Sequence, residues 1–388
     1  MPIESRERMV HEERLNNLTP LLPEYVQEYV LSKKRARFSP STLLGYAHEF
    51  EKFFTWLKTE GIADVNDIKD IPYTLLENLR KETVEFYIDY LQEEDLRTDK
   101  EKEAGLPIRK RSESAINRNI YALKSLFNYL TEETEDDDGE CYFYRNVFSK
   151  IKLHKEQETA SRRAKKISSV ILNDNEIDDF LNFMKFEFEK TVTGRMLSDF
   201  ENNKERDIAI LSVFLGSGIR VSELASITLQ DIDFQKEQID IIRKGNKEDT
   251  ALVLPSALDD LKVYLRARKE KLMVPEQVPY VFVTKYGGEF RPISVRAIQN
   301  LVDKYTKAFN SRNEFSTGKG LSPHKFRHTF ATEWIKNGGE LILLRDQLGH
   351  NSIETTTKYT NLSAEESKKV MKNIEGSRKG SRGTESKD

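Results

Sequence analysis

One cysteine in 388 residues, Cys141, has no partner for a disulfide and cannot by itself build a thiolate metal site. Its setting, ECYFYRN, predicts a half-buried thiol and not a nucleophile. No run approaches the ~18 uninterrupted apolar residues of a membrane-spanning helix, and mean hydropathy is −0.64. The N-terminus, MPIESRERMVHEERL, is charged throughout, so no secretory signal and a cytoplasmic address are expected. A Gly-rich phosphate loop, HExxH and GxSxG are all missing. The six histidines (His11, His48, His154, His324, His328 and His350) are scattered, and no metal site is expected from them.

What is abundant is charge. Charged residues are 33% and hydrophobic residues 37%, against about 25% charged in a typical soluble domain. The length suits two domains. The net charge of −3 conceals a contrast. Residues 1–150 sum to −8, and TEETEDDDGE (131–140) alone supplies −7 of it. Residues 281–330 sum to +6, which leaves room for a local phosphate-binding surface.

Hydrophobic spacing predicts four helices in the first part: 21–35, 38–61, 77–94 and 112–133. Ser39 or Ser41 caps the second, whose stripe is Leu44, Ala47, Phe50, Phe54 and Leu57. Val84, Tyr87, Ile88 and Leu91 face inward in the third, and Ile116, Ile120, Leu123, Phe127 and Leu130 in the fourth. Residues 1–20 read as a polar, loosely helical extension, 21–151 as a helical domain and 152–166 as a linker. Residues 167–374 read as a second, α+β domain, and 375–388 as a disordered basic tail. Within the second domain, 204–233 is a buried helix, a Gly-Ser-Gly turn and a second helix near Arg220. Residues 238–255 alternate around a Gly-Asn turn, a β-hairpin with Lys244 at its tip. Helices follow in SALDDLKVYLRARKEKL, SVRAIQNLVDKYTKAF, SPHKFRHTFATEWIKNG and ELILLRDQLGH. The fold class is therefore mainly α, with a small β-hairpin or sheet.

The groups suited to chemistry lie in this second domain. His324 and Arg327 are i, i+3 on one helix face, near an N-terminus built by Ser322 and Pro323, where free N–H groups favour an anion. Arg220 opens a helix, against the dipole, which points to another task such as a bidentate hold on phosphate. Glu223, three residues on, can orient it. His350 ends LRDQLGH, and Tyr359 stands among threonines and Lys358. Each signal is weak alone, since polar helix turns and surface tyrosines are common.

Together, and in this order, SGIRVSEL around Arg220, RKGNKE around Lys244, PHKFRHTFAT with His324 and Arg327, LGH with His350 and KYT with Tyr359 resemble the tyrosine recombinases, the phage-integrase-like family. KSLFNYLTEE, the segment 139–147 and FENNKERDIAI are similar to the Xer-type single recombinases, which resolve chromosome dimers. The resemblance implies a helical core-binding domain followed by a catalytic domain, closing together around duplex DNA. It implies six catalytic residues: Arg220, Lys244, His324, Arg327, His350 and Tyr359, with Glu223 orienting. The reaction it implies proceeds through a 3′-phosphotyrosyl intermediate and a Holliday junction, without metal, ATP or other cofactor. It further implies a homotetramer on DNA, near the nucleoid, with segment 363–374 docking on a neighbour and a DNA translocase as a possible activator. Lys33, Arg35, Arg118, Lys124, Arg162, Arg163 and Arg296 are candidate phosphate contacts by charge and helix position. Three alternatives stay open at this point. They are an integrase of a mobile element, a topoisomerase-like relaxase, and a catalytically silent architectural DNA-binding protein.

Overall fold

A computed structural model describes residues 6–152, 171–172, 174–243, 247–312, 320–350 and 356. Two compact units divide the chain, Met1–Glu156 and Gln157–Asp388. Most of segment 152–166, the helix proposed at 363–374 and the tail 375–388 lie outside the described residues.

Among the described residues, the regular elements of the first unit are all helical. Its elements are α1 (Arg6–Leu18), α2 (Glu24–Arg35), α3 (Pro40–Thr59), α4 (Tyr73–Glu77), α5 (Lys81–Glu93), α6 (Asp99–Glu103) and α7 (Glu113–Glu132). Ser39 caps α3 by accepting from the Thr42 N–H at 3.2 Å, with Pro40 in the first turn where its missing donor costs nothing. Ser112 caps α7 in the same way, accepting from Ala115 at 3.2 Å. The anticipated stripes of α3 and α7 are buried, as are Val84, Tyr87 and Leu91 of α5, while Ile88 is partly buried against the same core. Each fully buried Phe or Leu contributes about 2 kcal/mol of transfer free energy.

One expectation fails here. Residues 6–18 are no loose extension but helix α1, which packs on α3 and buries Leu15 and Leu18 in the core. Two apolar positions one turn apart are enough to dock an otherwise polar helix, and too few to show as a stripe.

The second unit begins with α8 (Asp174–Asn182), which runs through a π-turn (Phe183–Glu187) into α9 (Phe188–Thr191). Helix α10 (Gly194–Ser217) starts a good two turns earlier than anticipated, because Phe200 packs on Phe188 and Tyr305 with ring centroids 4.7 and 6.3 Å away. A short α11 (Val221–Ser226) follows. Strands β1 (Ile232–Asp233), β2 (Gln238–Arg243) and β3 (Lys247–Leu252) form one antiparallel sheet, with Arg243 opposite Lys247. The alternation read from the sequence holds on β2, which buries Ile239, Ile241 and Arg243, but on β3 only Ala251 is buried. Helix α12 (Pro255–Glu270) packs along α10. A second hairpin, β4 (Val283–Tyr286) and β5 (Glu289–Pro292), was not legible in the sequence. It turns on Gly287 and Gly288, with φ of 59° and 87°. Helices α13 (Val295–Asn310), α14 (Pro323–Lys336) and α15 (Leu341–Leu348) complete the described unit.

Candidate active site

Two glycine corners in the left-handed region organise the site. Gly218 (φ 66°) ends α10, and Gly349 (φ 60°) ends α15. Neither tolerates a side chain in space or in conformation. A β-carbon at Gly218 would lie 2.5 Å from Phe330 of α14, and one at Gly349 would lie 2.5 Å from Nε of Arg243. The close approach of three helix ends and one strand is what these glycines permit.

Arg220 follows the first corner as the N-cap of α11. Glu223 reaches back one turn: its carboxylate accepts from the Arg220 backbone N–H at 2.6 Å and from the Arg220 guanidinium at 2.8 Å. The second terminal nitrogen of Arg220 donates to the Gly349 carbonyl at 3.2 Å. Glu223 is 3% exposed, whereas the Arg220 side chain is 34% exposed. The carboxylate is a buried anchor, and the guanidinium keeps an open side.

Arg327, on α14, is 4% exposed. It donates to the Gly218 carbonyl at 2.8 Å and to the Leu348 carbonyl. Both arginines therefore rest on the carbonyls of one corner, residues 348 and 349. Ser322 caps α14 by accepting from Lys325 at 3.3 Å, with Pro323 at the first position, so the local N-terminus is built as the sequence indicates. His324 is exposed one turn before Arg327, and its ring meets His328 edge to face at 4.3 Å. His350 leaves the second corner, with its N–H on the Arg345 carbonyl at 3.0 Å and Nδ1 2.9 Å from Oγ1 of the buried Thr356. Thr356 stands three positions before Tyr359 in the sequence. Lys244, Tyr359, Arg162 and Arg163 lie outside the described residues.

Three residues of this assembly escaped the sequence reading. Gln347 of α15 clamps three segments, donating to Ser217 at 2.8 Å and Leu252 at 2.9 Å and accepting from the Leu252 N–H at 3.0 Å. Thr356 holds His350. Arg243 sits in the buried phase of β2, where a charged residue in register with two isoleucines was the one available signal.

The proposed phosphate contacts divide. Arg35, Arg118 and Arg296 are exposed. Lys33 is corrected: it is 9% exposed, donates to both Glu133 oxygens at 2.6 and 2.7 Å, and lies over the rings of Tyr29 and Tyr129. Its stem lies on the buried face of α2, so the charge is spent inside the unit. Lys124 donates to the Ile151 carbonyl at 2.7 Å. Among the described residues no three His, Cys, Asp or Glu side chains gather as a metal site, and no helix is long and apolar enough to cross a membrane.

Comparison with known proteins gives this geometry its context. Residues 171–366 match the model of the phage integrase family. The tyrosine recombinase XerS of Lactococcus lactis subsp. lactis (strain IL1403) is 37% identical over 369 residues, covering 95% of this chain and 99% of that one. XerS of Streptococcus pneumoniae (strain ATCC 700669 / Spain 23F-1) is 36% identical over 93% of this chain and 98% of its own. Among solved structures, the XerH site-specific recombinase bound to its difH substrate shares the fold with a TM-score of 0.58 at 19% identity, over 89% of this chain and 83% of that one. The chain belongs to the phage integrase family, and is a tyrosine recombinase.

Proposed function

We propose that this protein is an Xer-like site-specific recombinase that cuts and rejoins duplex DNA. The observation that carries the reading is the convergence of Arg220 and Arg327 on one backbone corner, residues 348 and 349. Guanidinium forks stay ionised and match the geometry of phosphate oxygens. Two of them fixed together suit the non-bridging oxygens of one phosphodiester, whose charge grows toward the pentacoordinate transition state.

In the proposed reaction the Tyr359 oxygen attacks phosphorus. An O–P bond to tyrosine forms as the bond to the 5′-oxygen breaks, giving a 3′-phosphotyrosyl link and a free 5′-hydroxyl. A phenol ionises near pH ~10, so its proton must be accepted locally, and His324 is assigned that role. Lys244 protonates the leaving 5′-oxygen. His350, steadied by Thr356, donates a hydrogen bond to the phosphate. Glu223 orients Arg220 and takes no part in the chemistry. Each exchange conserves one phosphodiester, so the step needs no ATP, and none of these roles calls for a metal. Attack by the partner strand's 5′-hydroxyl completes strand exchange.

The first unit is assigned to binding the recombination site, with Arg35 and Arg118 as its phosphate contacts, and Arg296 of the second unit, with Arg162 and Arg163 from the sequence, adds to them. Four protomers on two sites, a Holliday-junction intermediate, resolution of chromosome dimers and activation by a DNA translocase extend the same reading.

Covalent trapping tests it. The protein is incubated with nicked suicide duplexes carrying Xer-type sites and denatured in detergent. A protein–DNA adduct that disappears in Tyr359→Phe is the expected result. Tight binding without an adduct at any pH or salt would overturn the enzymatic reading in favour of an architectural one.

A further inference from the structure

Strand β2 carries an arginine where its pattern calls for an apolar residue. Arg243 is 7% exposed, and every nitrogen of its guanidinium is engaged. Nε donates to Asp249 at 2.9 Å across the hairpin. One terminal nitrogen donates to the Leu348 carbonyl at 3.2 Å and to Glu223 at 3.3 Å. The other donates to the Gln347 carbonyl at 2.7 Å. Burying a guanidinium carries a large desolvation cost, which only such complete partnering offsets. An apolar residue would satisfy the strand with less.

The partners show what the arrangement does. Glu223 is shared: one oxygen holds the Arg220 guanidinium, and the other holds both the Arg220 N–H and Arg243. The carbonyls that Arg243 holds, of residues 347 and 348, adjoin the Gly349 carbonyl that receives Arg220. Arg243 thus fixes both supports on which Arg220 rests. It also compensates Glu223. Without it, a buried carboxylate would have Arg220 as its one cation, and the charge Arg220 presents outward would be diminished.

We infer that Arg243 is a positioning residue for Arg220, acting through the Glu223 carboxylate and the 347–349 corner. The inference rests on the reading of Arg220 as a phosphate clamp, and it adds a residue on another element that makes the clamp work.

The test uses the full-length protein and the nicked suicide duplex, with two scissile linkages. One is the ordinary phosphodiester. The other is a methylphosphonate, in which a methyl group replaces one non-bridging oxygen and removes the charge. In both, tyrosine displaces the 5′-oxygen from phosphorus. A defect in neutralising phosphate charge is relieved on the neutral linkage, and a defect in folding or in proton transfer is not. Arg243→Gln is expected to slow adduct formation about 10²-fold on the phosphodiester, with DNA affinity held within about threefold, and to lose less than about tenfold on the methylphosphonate. Arg243→Lys, which keeps the charge but not the fork, is expected to lose about tenfold with the same relief. If Arg243→Gln does not fold, Arg243→Lys carries the test alone. Arg220→Ala runs in parallel. If Arg220→Ala is relieved and the Arg243 variants are not, or if they react at the wild-type rate, the role of Arg243 is overturned and the clamp stands. If Arg220→Ala itself is not relieved, the clamp reading fails and the inference falls with it.

Discussion

Gly349 and Arg243 are in contact, and only the absence of a β-carbon on the one leaves room for the guanidinium of the other. Gly349→Ala therefore meets two obstacles, a left-handed φ of 60° and a steric clash at 2.5 Å. The expected loss is about 2–4 kcal/mol of folding stability. Gly338 separates the two causes. Its φ is 80°, but a β-carbon there meets nothing within 4 Å, so Gly338→Ala should lose about 1 kcal/mol. Urea unfolding of both variants measures the difference, and equal losses would show that the contact with Arg243 costs nothing.

Gln347→Leu keeps the size of the side chain and removes its three hydrogen bonds to residues 217 and 252. Stability should fall by about 2–3 kcal/mol, because partly buried backbone groups lose their partners. Adduct formation on the suicide duplex should also slow, since Leu348 and Gly349 carry the arginines. A melting curve and a single-turnover time course read the two effects separately.

Salt dependence distinguishes the cations that meet DNA from those that do not. Arg35→Ala, Arg118→Ala and Arg296→Ala should each flatten the plot of log affinity against log salt by about 0.9 per lost phosphate contact. Lys33→Met should leave the slope unchanged and reduce stability by about 1 kcal/mol, because its partner Glu133 is half exposed. An altered slope for Lys33→Met would restore it to the interface.

Alkaline pH should unfold the first unit. Burial raises Tyr25, Tyr29 and Tyr87 above the ordinary phenol value, and the hydrogen bonds of Tyr29 to Ser125 and of Tyr87 to Asn119 oppose the shift only in part. Because the folded values lie above the unfolded value of about 10, the stabilisation is complete below that pH. It is lost as pH rises above it toward the folded values. A distinct share of the tyrosinate absorbance, that of the buried rings, should appear together with the loss of helical ellipticity. Gradual ionisation of all tyrosines near pH ~10 with the helices intact would contradict the assignment.

Much of this was legible in the chain. Helices α3 and α7 declare themselves because nine or ten apolar side chains recur at helical spacing between a serine cap and a polar end. Helix α1 does not, because Leu15 and Leu18 alone carry its docking. The β4–β5 hairpin does not, because Lys285, Tyr286, Glu289 and Arg291 give no apolar alternation. At the site, Arg220, Arg327 and His350 were visible as an ordered set of motifs. Their supports were not, because Gly218, Leu348 and Gly349 contribute carbonyl oxygens, and a backbone atom leaves no trace in residue identity.

The end of α15 is the common seat of Arg220, Arg243 and Arg327, and this has an electrostatic consequence. Three like charges crowd around one helix terminus, whose aligned peptides supply about half a negative charge. Glu223 and Asp249 supply two more. The cluster is thus left lacking about half an elementary charge of anion, less than a single phosphodiester brings. One backbone phosphate is enough to saturate it, and a free polyanion gains little there by offering more.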